Sequence, residues 1–126
     1  MDKTILKLSP LAHTWILDFD GTLVEHNGYK YGDDKFLPGA LEFLHSIPKE
    51  DFVLILTARE AGARGVTEAF LARHNVHYTQ IIFEIPMGER ILMNDTKPSG
   101  LKCAYAVTPK RNVGPEGFSF FIDPTL

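Results

Sequence analysis

The sequence predicts an α/β fold, a three-layer, doubly wound and mainly parallel sheet. Three observations point there. Residues 15–17 and Phe52–Leu56 are short apolar runs that stop at polar residues, as buried parallel strands do at the rim of a sheet. A helical stretch follows each of them, so strand and helix alternate. With 126 residues and a hydrophobic fraction of 44%, the chain suffices for one domain, 1–126, with one core.

The elements follow in order. Residues 1–13 hold Ile5, Leu6, Leu8 and Leu11 around Ser9-Pro10, which suits either a leading strand or an arm on a neighbour. Thr14 to Asp18 is the first full strand. Residues 24–37 are polar and aromatic with two glycines, a hairpin or loop over the strand ends. Pro38-Gly39 opens a helix over Ala40–Ser46, and Pro48 stops it. Phe52–Leu56 reads as a central strand buried on both faces. Residues 58–74 are helical, with Asn75 as the stop. Further strands are expected at 78–83, 91–93 and 104–107, with an edge strand at 118–122.

Composition excludes several functions. The net charge is −3, with no basic stripe for nucleic acid or an anionic membrane. No run approaches a bilayer span, and no signal peptide is visible. Cys103 is the sole cysteine, so no intrachain disulfide forms; it reads as a small buried residue. The expected location is the cytoplasm.

Polar residues close three of the expected strands: Asp18 with Asp20, Thr57, and Asp95 after Asn94. In open parallel sheets, ligands sit beyond the carboxyl ends of strands. Two carboxylates one residue apart repel unless a positive group lies between them, and a divalent cation is the simplest choice.

The run Asp18-Phe19-Asp20-Gly21-Thr22-Leu23 resembles the first motif of the haloacid dehalogenase (HAD) superfamily, most of whose members are Mg-dependent phosphatases. Thr57 and Asp95 fall where its second and fourth motifs would. The resemblance spans residues 14–107. It implies Asp18 as the nucleophile that forms an aspartyl phosphate, and Asp20 as acid and base toward the leaving oxygen and water. It implies Mg²⁺ held by Asp18, the Asp20 carbonyl and Asp95. Thr57, with Ala58 and Arg59 at the start of the next helix, would hold the phosphoryl group. Thr57 also fits a plain helix cap, and Arg59 a surface residue.

Two departures stand out. Asn94 replaces one acid of an acidic pair, and no lysine lies between Thr57 and Asp95. The stretch from Arg90 to Pro98, with Asn94-Asp95-Thr96-Lys97-Pro98, resembles small HAD-like proteins encoded with capsule and lipopolysaccharide genes. There Lys97 would supply the neutralising charge, with Arg90 or Arg59 as alternatives. Neither interval between motifs can house a cap domain. The site should therefore be open, roofed by the flap 25–34 or by another subunit of a homo-oligomer. His26, Tyr29, Lys30 and Tyr31 are the flap side chains expected to touch a leaving group, and each equally suits plain flap packing.

The reading is a phosphomonoesterase for a small phosphorylated substrate, a sugar phosphate by resemblance alone. The competing readings are a non-catalytic module that binds a phospho-ligand or protein, and a phosphatase for a macromolecule.

Overall fold

In the computed structural model, which describes residues 3–126, five strands and two α-helices form. Their order is β1 (Thr4–Leu8), β2 (Thr14–Asp18), α1 (Ala40–Ser46), β3 (Phe52–Leu56), α2 (Arg64–Arg73), β4 (Gln80–Ile82) and β5 (Phe118–Ile122). Strands β2, β3 and β4 make one parallel sheet in that order. Strands β1 and β5 pair in parallel as a second, two-stranded sheet. The fold is thus α/β with parallel strands. The leading strand expected in residues 1–13 is β1; Met1 and Asp2 lie outside the described residues.

Register places Leu17, Ile55 and Ile81 side by side on one face of the larger sheet, and Ile16, Leu54 and Gln80 on the other. Two successive right-handed crossovers in one direction set both helices on the same face. The core accordingly joins Val53, Ile55 and Ile81 to Ala40 and Leu44 of α1 and Phe70 and Leu71 of α2. Phe19, Leu23 and Val24 seal it beneath the rim.

Among the described residues, no helix covers the opposite face. Strand β3, expected to be buried on both faces, alternates instead: Val53 and Ile55 are wholly buried, while Phe52 is 41% exposed. The expected third layer is therefore missing, because no element after β4 crosses to that side.

The expected strands at 91–93 and 104–107 do not form, and neither helix nor strand lies between Ile82 and Pro115. Strands need neighbours to satisfy their backbone groups, and here Ile91 and Met93 stand 89% and 93% exposed. The segment is tethered at its ends, where Ile85 N–H donates to the Thr57 carbonyl and Asn112 N–H to that of Gly21. Midway it folds back: Gly100 N–H donates to the Lys97 carbonyl, and Asn94 Nδ2 to that of Cys103. Cys103 is half-buried rather than buried.

The small sheet is locked to the large one by Trp15, whose ring lies 4.9 Å from Phe120 and 5.5 Å from Phe43, centroid to centroid. Its Nε1 donates to Asp51, which also accepts from the His13 backbone N–H and contacts His13 Nδ1. Burial works against the Asp51 charge, but these hydrogen bonds outweigh it and hold the carboxyl below the usual aspartate range. Gly114, at φ 86°, lets the chain pass so close to Pro38 that a Cβ would sit 2.7 Å from the Pro38 carbonyl oxygen.

Candidate functional site

The candidate site is the carboxyl rim of β2 and β3. Strand β2 ends at Asp18, and Phe19 points into the core. The chain then turns tightly: Leu23 N–H donates to the Phe19 carbonyl at 2.9 Å, and Gly21 adopts φ 83°. That turn sets Asp18 and Asp20 at the rim with different surroundings.

Asp18 stays accessible, its side chain 37% exposed. Its Oδ2 accepts from Thr22 Oγ1 at 2.8 Å, which fixes the carboxylate's orientation. Its Oδ1 accepts from Arg90 Nη1 at 2.8 Å. Of the three cations weighed for the neutralising role, Arg90 is the one that meets Asp18. Lys97 lies exposed in the turn beyond it.

Asp20 faces inward. Arg59 donates Nε to Asp20 Oδ2 and Nη2 to Oδ1, both at 2.9 Å. The same guanidinium holds Asp34 with Nη2 at 2.6 Å and Nη1 at 3.1 Å, and Nη1 also donates to Thr67 Oγ1. It stacks on Tyr29, 3.9 Å to the ring centroid, and on Phe19 at 4.7 Å. Burial opposes the Arg59 charge, yet the bonds from Asp20 and Asp34 outweigh it and raise its pKa further. In place of a substrate or surface contact, Arg59 has an internal one, as the clamp between rim and loop.

Thr57 is also internal. Its Oγ1 accepts from Arg59 N–H at 3.1 Å, and its backbone bonds Ile82 and Ile85. Ala58 is exposed. The following helix begins later than expected, with a 3₁₀ turn over Ala61–Ala63 before α2. No helix terminus therefore opens at Ala58 and Arg59.

Residues 24–37 form the expected hairpin-like loop, joined by an antiparallel bridge of Val24 to Phe36. Its tip carries a 3₁₀ turn, Gly28–Lys30. Tyr29 covers Arg59, while Tyr31 points to solvent at 89% exposure. Asp34 and Thr67 were not singled out from sequence. Both are polar residues that only the fold brings to Arg59, and no spacing rule links positions 34, 59 and 67.

Of the residues weighed for Mg²⁺, Asp18 faces Arg90 at the rim, and Asp95 is exposed in the 87–110 segment. Among the described residues, no cluster of three His, Cys, Asp or Glu side chains could hold a metal. No protein-family model, curated protein or solved structure matches the chain.

Proposed function

We propose that this chain is a phosphomonoesterase that acts through a phosphorylated Asp18. The reading is supported by one observation above the rest. Asp18 is an accessible carboxylate at the carboxyl end of a parallel strand, oriented by Thr22 and faced by a guanidinium. Nucleophilic attack by Asp18 on a phosphate monoester would form an O–P bond and release the alcohol, whose oxygen takes up a proton. Water would then cleave the acyl phosphate and return the carboxylate. Arg90, which donates to Asp18 in the resting state, would transfer its guanidinium to the phosphoryl oxygens as they approach.

Membership of the HAD superfamily, the flap role of residues 25–34, a small metabolite or sugar phosphate as substrate and a need for Mg²⁺ belong to the same proposal. They rest on the resemblance carried by residues 18–23, Thr57 and Asp95, and the sugar phosphate on that of residues 90–98. Asp18, the Asp20 carbonyl and Asp95 are the residues that would hold Mg²⁺.

A second reading, a phospho-ligand binding module, is favoured by the closed pairing of Asp20 with Arg59. An acid locked in an ion pair is poorly placed to shuttle protons. Phosphate release from a panel of phosphate monoesters, with Mg²⁺ added, tests the choice. Turnover that Asp18→Asn abolishes supports the enzyme; no turnover of any member supports the module.

A further inference from the structure

We propose that residues 91–95 of a second copy of this chain pair along the free edge of β2 and so bring that copy's Asp95 to the Asp18 rim. The delivery of Asp95 deepens the enzymatic reading and rests on it. The pairing itself stands on the four observations that follow.

The first is an unpaired edge. Among the described residues, strand β2 is bonded on one side only, to β3, and its central Ile16 is 47% exposed. The bare sheet face beside it shows Phe52 and Ile82. An open apolar edge of this kind is a template for another strand.

The second is an unpaired strand-like segment. Ile91-Leu92-Met93-Asn94-Asp95 has the length of β2 and likewise runs from apolar residues to a terminal aspartate. Ile91, Leu92 and Met93 are all exposed.

The third is charge. Residues 87–111 hold five of the 13 Lys and Arg but only two of the 16 Asp and Glu, so the segment carries +3 and the rest of the chain −6. A cationic arm suits an anionic body, and the body this chain offers is its own second copy.

The fourth is reach. Ile85 is bonded to Thr57 and Arg90 to Asp18, both at the rim. From there the arm could line its own β2 only antiparallel, carrying Asp95 about 17 Å down the strand and away from Asp18. A two-fold related copy has no such constraint. With two β2 strands antiparallel, each arm leaves its own rim and runs parallel to the partner's β2. Its Asp95 then ends at the partner's rim. The contact is isologous and closes as a dimer.

Sedimentation equilibrium of the wild type and of Ile91→Lys/Met93→Lys tests the pairing. The expected result is two chains per particle for the wild type and one for the variant, with unchanged circular dichroism. Hydrogen exchange should show the amides of 91–95 protected in the wild type, with protection lost on dilution. A wild-type monomer, a dimer that survives both substitutions, or arm protection that persists in a monomer would each overturn the pairing. Mixing Asp18→Asn with Asp95→Asn chains reads the delivery. Activity regained on mixing supports it, and no regain beside an active wild type overturns it. A dimer that dissociates on substitution, in a protein with no activity at all, supports the pairing while retiring the enzymatic reading.

Discussion

Arg59 binds Asp20 through both of its oxygens, 2.9 Å each, and still reaches Asp34 at 2.6 Å. One guanidinium thus ties the turn after β2 to the loop that covers it. Its side chain and that of Asp34 are each only 1% exposed. Removing Arg59 leaves two carboxylates facing each other away from water. Arg59→Met is expected to cost about 3–5 kcal/mol in denaturant unfolding. Arg59→Lys should recover only part, since an ammonium cannot serve both forks. Adding Asp20→Asn and Asp34→Asn to Arg59→Met should return much of the loss, because the stranded charges are then gone.

Arg90 and Lys97 are predicted to separate in kinetics. Arg90 contacts Asp18 and is partly exposed, so Arg90→Ala should leave folding intact. On the proposed reaction it should lower kcat/KM about 10²–10³-fold. Lys97→Ala should have the smaller effect. Steady-state rates with the best phosphate ester of a panel would show the reverse order if Lys97 carries the charge.

Acid stability should report Asp51. Its carboxyl is held below the ordinary aspartate range in the folded protein, so ionised Asp51 stabilises the fold above the unfolded-state value. The contribution fades as pH falls from that value through the lowered folded one. Thermal melts from neutral to strongly acidic pH should therefore lose this increment only at the acid end. Asp51→Asn should flatten that limb, whereas an unchanged limb would assign it to other carboxylates.

Gly114 should resist substitution. At φ 86° a side chain is strained, and the added Cβ would also meet Leu37 Cβ at 2.8 Å. Gly114→Ala is expected to destabilise by about 1–3 kcal/mol from the backbone alone, read from the unfolding midpoint. Gly62, with open space around it, should tolerate alanine.

Local pattern made most of the fold legible. Strand β3 and helix α1 occupy the residues expected, because an unbroken apolar run and a Pro-Gly start are local signals. Asn75, expected to stop α2, does so in the left-handed conformation at φ 54°. The segment 91–107 was illegible for the opposite reason. Its apolar triplet has strand character, but pairing depends on a neighbour that the pattern cannot specify. At the rim, adjacency in sequence put Asp18 and Asp20 together. The partition of roles between them, one open and one clamped, depends on Asp34 and Arg59, which are distant in sequence and meet only in the fold.

The most direct test of the enzymatic account is borohydride trapping of the protein during turnover of a phosphate monoester with Mg²⁺ present. Reduction of an acyl phosphate converts the phosphorylated aspartate to homoserine, and peptide mass spectrometry locates it. The account predicts homoserine at position 18 alone, absent from Asp18→Asn. Turnover that leaves position 18 as aspartate, or homoserine at position 20 instead, would contradict it.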